Sequence, residues 1–512
     1  MEKNLYIEGI KMKRRAFISV YDKVGLIDFA KNLTEKFDYE IVAGGDTYEL
    51  LNSADIEVIN LSEFANTSGL LMKEFEALSE TVLAGILANS SDVRELNELE
   101  RFAIKSFDMV VVNVCPFERV VLENDNVDEM IKNIDIVGLT LLRAGAKNYK
   151  NVTVITDKVD YYVALNANEF GRLKLAAKAL NLTSNYDRAV ASMLAEQTGE
   201  KPFKTLSFEK VKDLKYGENP HQKGAIYKTE RMVNYEVLNE KELSFNDVLN
   251  VTEATNIVSE FFDVNAVSII RHTKPCGVAL GRSIYDAYTK AFDCDPISSF
   301  YGTVGFSKPV DAEVAKHLNS MAVEVIVAPD FNNDALEIFK DNPEIKLVKL
   351  NTPLKEYRKL AREDVILSPF GALVQDSDLS ELDKDMFKVV TREKPTKEQI
   401  EDAIFAWKVV KYAKTNSAVI ARDFKTVAIA QGQTNAIVAV EQALNYACDN
   451  SKEAVLASDA TIHAEDCIYS AVQGRISLII QPGGSVKDQK IIETCDKYGI
   501  AMITTGIRNY KQ

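Results

Sequence analysis

The sequence predicts an α/β protein, with a doubly wound parallel sheet first and a duplicated α/β region after it. Three observations lead there. Short runs of β-branched residues alternate with stretches of helical spacing. Two similar sets of such runs follow a polar, lysine-rich stretch near residues 198–213. The chain has 512 residues, too many for one core.

The elements follow in order. Ala16-Phe17-Ile18-Ser19-Val20 reads as a strand, and residues 24–37 have helical spacing. Ile41-Val42-Ala43-Gly44-Gly45-Asp46-Thr47 reads as strand, glycine turn and helix N-terminus. Residues 109–114 and 152–155 are buried-type strands. This first domain is placed at 12–157, with 1–11 as an extension. Helices over 161–180 and 184–197 make 158–213 a helical linker region. Strand-like runs at 266–270 and 322–327 assign 214–385 to the first half of the duplication. Runs at 417–420, 427–430, 454–457 and 478–480 assign 386–512 to the second.

Composition narrows the function. Hydrophobic residues make up 46% and charged residues 27%, as in ordinary soluble domains. A net charge of −15 argues against nucleic acid and against anionic membrane as partners, so any phosphate site is a local basic pocket. No apolar run reaches the ~18 residues of a membrane span. The six cysteines are scattered without a C-x-x-C pair, so neither a zinc cage nor a redox pair is expected and the setting is cytoplasmic.

Several motifs are open to two readings. Gly44-Gly45 could offer N–H groups to a phosphate at a helix N-terminus, or be only a turn. Gln481-Pro482-Gly483-Gly484-Ser485 has the same look, with Ser485 as the N-cap. His463-Ala464-Glu465 and Pro275-Cys276 match pieces of a zinc deaminase signature, but the second cysteine is missing and the order is inverted, so no metal is expected. His317 and Trp407 read as structural.

Two polar motifs stand out among only four histidines. One is Leu214-Lys215-Tyr216-Gly217-Glu218-Asn219-Pro220-His221-Gln222, the other Arg271-His272-Thr273-Lys274-Pro275-Cys276-Gly277. Each joins a cation, a hydrogen-bonding ring and a Gly or Pro turn, parts that suit an anionic substrate and a proton transfer. His272 falls at the carboxyl end of a strand, with the chain expected to turn at Pro275 and Gly277. A cation next to a histidine works against protonating it, which suits a general base.

With Ser19-Val20-Tyr21-Asp22-Lys23-Val24-Gly25, Tyr216 to Gln222, Pro275-Cys276-Gly277-Val278-Ala279-Leu280-Gly281, Ala406-Trp407-Lys408-Val409-Val410-Lys411, Leu456-Ala457-Ser458-Asp459-Ala460 and Ile480 to Ser485, the chain resembles the bifunctional AICAR transformylase/IMP cyclohydrolase family of purine synthesis. The resemblance covers nearly the whole chain. It implies an N-terminal domain of methylglyoxal-synthase-like fold that closes the formylated aminoimidazole carboxamide to IMP. It implies a pair of cytidine-deaminase-like domains, without zinc, that move a formyl group from the co-substrate 10-formyltetrahydrofolate to AICAR. It also implies a homodimer with the transformylase site shared across the interface.

By the same resemblance His272, Arg271 and Asn416 are catalytic. Lys215, Tyr216, Gly217, His221 and Arg508 bind substrate, with Lys215, Arg271 and Arg508 clamping phosphate. Asp466 and Gly484 bind folate. Lys23, Gly44, Gly45, Asn113, Asp135 and Lys147 survive from the cyclohydrolase site.

The departures concentrate in two places. The family stretch Asp-Gly-Arg-Val-Lys-Thr-Leu-His-Pro is Met72-Lys73-Glu74-Phe75-Glu76-Ala77-Leu78-Ser79-Glu80 here, putting Glu74, Glu76 and Ala77 where arginine, lysine and threonine are expected. Cys115 replaces a tyrosine and Tyr21 a serine. Two lost charge-assisted bonds at ~1.5–3 kcal/mol each weaken a phosphoester roughly a thousandfold, so the cyclohydrolase is expected to be impaired or lost. In the other half Lys215 and Arg271 exchange arginine and lysine with the family. Tyr301 replaces a glycine, Ala436 an arginine, Thr461 an aromatic and Asn332 an acid. These changes leave two alternatives to AICAR formylation: a non-catalytic nucleotide-binding paralogue, or a formyltransferase on a modified aminoimidazole ribonucleotide, shaped by Tyr301 and His463.

Overall fold

The computed structural model describes residues 6–7, 10–11, 13–65, 73–199, 204–229, 232–360, 363–382 and 387–512. The chain forms two compact units, Met1–Ser207 and Phe208–Gln512. Among the described residues no helix is long and apolar enough to cross a membrane.

The first unit is built on five parallel strands: β1 (Arg14–Val20), β2 (Tyr39–Ala43), β3 (Val58–Asn60), β4 (Met109–Asn113) and β5 (Thr153–Ile155), in the order β3-β2-β1-β4-β5. Strands covered on both faces must be apolar throughout. Met109-Val110-Val111-Val112 meets that demand, each residue being buried. Helices α1 (Leu26–Phe37), α2 (Gly45–Ser53), α3 (Ile136–Lys147) and α4 (Glu169–Thr198) belong to the same unit.

The helical pattern over 161–197 predicts a break near 180–184. Instead α4 is one helix of 30 residues, started by the Asn168 side chain accepting from Gly171 N–H at 2.8 Å and closed by Gly199 at φ 70°. Asn181, Thr183 and Ser184 look like a turn in the sequence, yet Thr183 is buried and its hydroxyl bonds the Leu180 carbonyl at 3.0 Å. Tyr186 of α4 also reaches back to accept from Asp135 N–H at 2.9 Å. The first unit extends through this helical region to Ser207, so the division between the two units falls within the lysine-rich stretch near 198–213.

The second unit is a duplication. The first copy runs β8 (Tyr235–Val237), α5 (Phe245–Ser259), the hairpin β9 (Asn265–Arg271) and β10 (Lys274–Gly281), α6 (Ile284–Phe292), β11 (Gly302–Phe306), α7 (Ala312–Asn319), β12 (Val323–Ala328), α8 (Asn333–Phe339) and β13 (Lys346–Leu350). It is preceded by a hairpin of β6 (Glu209–Leu214) and β7 (Gly224–Lys228), and followed by another of β14 (Glu363–Ser368) and β15 (Gly371–Asp376). The second copy repeats the pattern: β16 (Lys388–Val389), α9 (Lys397–Val410), the hairpin β17 (Ala418–Arg422) and β18 (Lys425–Ala430), α10 (Ala436–Ala447), β19 (Val455–Ser458), α11 (Glu465–Gln473), β20 (Leu478–Gln481), α12 (Asp488–Tyr498) and β21 (Ala501–Thr504).

The two copies fuse into one twelve-stranded sheet, β8-β13-β12-β11-β9-β10-β18-β17-β19-β20-β21-β16, with the inner hairpin strands β10 and β18 at the junction. The pairing β12–β11–β9 in one copy matches β20–β19–β17 in the other. The capping box of Ser244 and Asp247 that starts α5 recurs as Thr396 and Gln399 at α9. Trp407 and the other apolar residues of α9 are buried in the core that both copies share.

Candidate functional site

Strand direction decides which residues can meet. In the second copy β19, β20 and β21 run parallel, so the loops after Ser458, Gln481 and Thr504 share one edge of the sheet. β17 runs against β19, pairing Ala418 with Ser458, which brings Asn416 to that edge. β10 runs against β18, which brings the β9–β10 turn there too. Side chains confirm the join: Gln431 Nε2 donates to the Pro275 carbonyl at 3.0 Å, and Asn416 Nδ2 donates to the Gln433 carbonyl at 3.1 Å. His272, Asn416, Asp466, Gly484 and Arg508 thus belong to one edge, the ligand-binding edge of an open α/β sheet.

The turn itself differs from expectation. Pro275 and Gly277 are not in it; they lie inside β10, and the chain reverses at His272-Thr273, with φ 52° and 62° and Arg271 opposite Lys274. Two left-handed residues are what a tight two-residue hairpin demands, but the usual occupants are Asn and Gly. A β-branched threonine in that region costs about 1–3 kcal/mol. Asn250 Oδ1 accepts from Thr273 N–H at 2.8 Å and the threonine hydroxyl donates to the His272 carbonyl at 2.6 Å. Gly277 answers a packing need, since a Cβ there would overlap the Ala291 carbonyl of α6. Burial pushes the Cys276 thiol up to about 12.

Helix α5 gathers the remaining segments. Residues three and four apart share a helix face. Asn246 donates to the Glu218 carbonyl of the β6–β7 loop at 3.2 Å, Asn250 holds the His272 turn, and Glu253 pairs with Lys511 at 2.6 Å. The Lys511 carbonyl in turn accepts from Thr415 N–H at 2.9 Å. One polar stripe therefore ties together the Lys215-Tyr216-Gly217 segment, His272, the Arg508 tail and Asn416. None of Asn246, Asn250, Glu253, Gln431 or Gln433 is singled out in the sequence. Their only signal is the polar spacing 246, 250, 253 on a helix that also carries an apolar face. His221 sits exposed at the tip of the β6–β7 loop, whose neck is closed by Gly217 N–H on the Gln222 carbonyl at 2.8 Å.

Electrostatics mark the same edge. Among the described residues Lys215, Arg271, Lys274 and Arg508 have no carboxylate partner. The Arg271 side chain lies 3.5 Å from His272 Nε2 and the Arg508 guanidinium stacks 4.1 Å over the Tyr510 ring. These four cations without carboxylate partners stand in a protein of net charge −15. Nearby, burial raises the Asp459 carboxyl, which accepts from Ser417 N–H at 2.7 Å and from the Thr415 hydroxyl.

Other positions show how the edge is modified. Tyr301 has φ 55°, a conformation that favours glycine, and its ring is 66% exposed beside Gly302 at the start of β11. Thr461 donates to the Gly483 carbonyl at 2.9 Å, and exposed His463 bonds the Thr461 carbonyl at 3.3 Å. Gly484 and Ser485 give their N–H groups to Asp488 at 2.6 and 3.1 Å. Ser485 does not cap α12, as Lys487 holds that position, so the glycine turn is satisfied by its own helix. Asn332 lies after β12, whose direction puts its end at the opposite edge, away from His272. Among the described residues no His, Cys, Asp and Glu cluster could hold a metal.

In the first unit Lys23, Gly44 and Gly45 follow the carboxyl ends of β1 and β2, and Asn113 is the last residue of β4. Asp135 opens α3, accepting from Gly138 N–H at 2.7 Å, while Lys147 closes the same helix, about 18 Å further along its axis. Those two cannot serve one small ligand within one copy of the chain. Asn113 is spent on the Asp22 backbone at 2.8 and 3.1 Å, and Asp22 pairs with Lys158 at 2.9 Å. Glu76 is buried and accepts from the Ser62 hydroxyl at 2.6 Å; Ala77 is buried beside it. Tyr21 and Cys115 face each other, and the hydrogen bond to Cys115 pushes the Tyr21 phenol up. The Glu74 side chain lies outside the described residues.

A parallel α/β domain joined to a duplicated α/β sheet, with a histidine, an asparagine and free cations at one edge, defines a two-unit enzyme scaffold for a small anionic substrate. Comparison with known proteins makes this particular. The MGS-like domain family matches residues 25–140, and the AICARFT/IMPCHase bienzyme family matches residues 145–446. The chain is 40% identical over 516 residues to the bifunctional purine biosynthesis protein PurH of Acetivibrio thermocellus, covering 98% of this chain and 100% of that one. It is 42% identical over 512 residues to PurH of Clostridium botulinum strain Kyoto, with the same coverage. The chain belongs to the AICARFT/IMPCHase bienzyme family.

Proposed function

We propose that the second unit transfers a formyl group from 10-formyltetrahydrofolate to AICAR in purine biosynthesis, and that the first unit has lost most of the family's ring closure. The observation that supports the transfer is the one-edge assembly of His272, Asn416 and four cations that have no carboxylate partner among the described residues. The AICAR amine attacks the formyl carbon, the C–N bond to the folate breaks, and the folate nitrogen leaves with a proton. His272 takes the amine proton, with the Arg271 side chain 3.5 Å from its Nε2. Lys215, Arg271 and Arg508 clamp the phosphate, with Tyr216, Gly217 and His221 in the loop beside it. Asn416 orients the formyl oxygen. Asp466 and Gly484 lie on the folate side.

Impairment of the first unit rests on Glu76. A carboxylate buried against Ser62 stands where the family presents a lysine to phosphate. Free thiols and an acidic surface fit a cytoplasmic enzyme without nucleic-acid or membrane partners. A homodimer is supported by the β14–β15 hairpin, which carries Leu367 at 80% and Phe370 at 102% exposure, because an isolated two-stranded hairpin with apolar faces needs a partner surface. Tyr301 favours a second reading, a formyltransferase on a modified aminoimidazole ribonucleotide.

Purified protein incubated with AICAR and 10-formyltetrahydrofolate tests both parts. Tetrahydrofolate release by absorbance, with formylated product and no IMP by chromatography, is the expected result. Turnover only with an altered aminoimidazole ribonucleotide selects the second reading. IMP formed from the formylated intermediate as fast as formyl transfer refutes the loss of ring closure.

A further inference from the structure

The strongest unassigned feature at this edge is Asn250. We propose that Asn250 is a positioning residue for His272: its amide clamps the left-handed turn that carries the histidine, and it does so without bringing a charge to that turn. This inference rests on the reading of His272 as the base.

Three observations carry it. The first is geometric. His272 and Thr273 both have positive φ, and the second turn residue gives its N–H to Asn250 Oδ1 at 2.8 Å. A threonine leaves that conformation readily unless something outside the turn holds it. The helix that supplies the clamp also anchors the β6–β7 loop through Asn246 and the C-terminal tail through Glu253, so the histidine is referenced to the same rigid element as the phosphate-binding segments.

The second observation is internal to the molecule, because the duplication repeats the clamp. Asn250 lies six residues after the N-cap Ser244, and Asp402 lies six residues after the N-cap Thr396. Asp402 holds the equivalent turn of the other copy, accepting from Asp423 N–H at 2.9 Å and Phe424 N–H at 2.8 Å, and those residues have φ 55° and 56°. The turn and its helix-borne acceptor are one device used twice.

The third observation is the chemical difference between the copies. At Asp423-Phe424 the acceptor is a carboxylate. At His272 it is a neutral amide. A carboxylate beside the ring favours imidazolium and keeps the base protonated to higher pH. With Asn250 neutral, the charges around the turn are Arg271 and Lys274 at the turn itself, Glu253 bound to Lys511 one turn along α5, Asp295 beside Cys276, and Lys215 and Glu218 in the β6–β7 loop.

The test uses the full-length protein with Asn250→Ala, Asn250→Asp and His272→Gln. The imidazole titration is followed by NMR; the chain has four histidines, and the His272 signal is the one lost in His272→Gln. AICAR formyl transfer is measured across pH in parallel. Asn250→Ala should lower kcat by about ten- to a hundredfold while the KM for AICAR changes less than about threefold. Asn250→Asp should recover most of that kcat, since it offers the same acceptor, and should move both the His272 titration and the acidic limb of the kcat profile up by roughly half a pH unit or more. Full kcat in Asn250→Ala, or an unmoved His272 titration in Asn250→Asp, overturns the proposal. Should Asn250→Ala fail to fold, the titration of Asn250→Asp still decides it. If His272→Gln keeps full activity, the base reading itself fails; if His272→Gln is inactive and Asn250→Ala is not impaired, only the present inference fails.

Discussion

The two copies of the duplicated sheet hold the same turn at opposite edges, and the edges differ in what surrounds it. Around Asp423-Phe424 several polar groups are paired within the fold. Lys308 bonds the Phe262 carbonyl at 2.9 Å, Ser307 bridges Val264 and Ala266 at 2.6 and 2.8 Å, and Asp330 pairs with Lys349 at 2.7 Å. Around His272, Lys215, Arg271, Lys274 and Arg508 have no carboxylate partner among the described residues, and the histidine is exposed. The fold therefore supplies the scaffold twice. Function depends on which edge leaves charge and hydrogen-bonding capacity unspent.

The sharpest way to break this comparison is to disable each turn. His272→Ala should reduce formyl transfer by about a hundred- to ten-thousandfold with the fold intact by circular dichroism. Asp423→Ala should change it less than about twofold; equal losses would show that both edges matter only structurally. Next in size is the surface that neither copy covers. Leu367→Asp with Phe370→Asp should shift the protein to a monomer in sedimentation velocity and lower activity at least about tenfold, because the site residues are largely exposed in one chain. A dimer that survives with full activity assigns the hairpin another role.

A smaller effect tests the clamps as structure. Asp402→Ala strands two backbone N–H groups and should lower unfolding free energy by about 1–3 kcal/mol in denaturant titration without changing KM for AICAR. The smallest concerns pH. Burial raises the Asp402 carboxyl above its ordinary value, so the folded chain holds that proton more tightly than the unfolded one. Its contribution is present in full below the unfolded pKa and is lost as pH rises through the folded one. The stability of wild type relative to Asp402→Asn should therefore fall as pH rises from about 4; a pH-independent difference would remove Asp402 as the cause.

Legibility differed from residue to residue. The strand before His272 and the resemblance around it were plain, because a run such as Ala266-Val267-Ser268-Ile269-Ile270 has only one comfortable structure. The position of the turn was misread, since Pro275 and Gly277 are turn formers by habit, whereas here Gly277 is needed for contact with α6. The break expected in α4 failed for a related reason: Thr183 and Asn181 are weak helix formers, and packing of Tyr186 and Thr183 outweighs their preference. Ser485 looked like a cap because local spacing cannot reveal that Asp488 has already taken the free N–H groups. Asp135 and Lys147 stand at opposite ends of one helix, a separation that residue spacing shows only once the helix is known.

What the chain's residues establish alone is local: the strands, the helices with their caps, the two histidine motifs, the family, and the presence of Glu76 and Tyr301 where other residues are expected. Each follows from short-range sterics, periodicity or direct likeness. Convergence is a different matter. Strand direction placed Asn332 away from His272, helix length separated Asp135 from Lys147, and one polar face of α5 drew together segments nearly 300 residues apart, from Lys215 to Arg508. Those relations depend on long-range pairing and packing, and only the tertiary structure decides them.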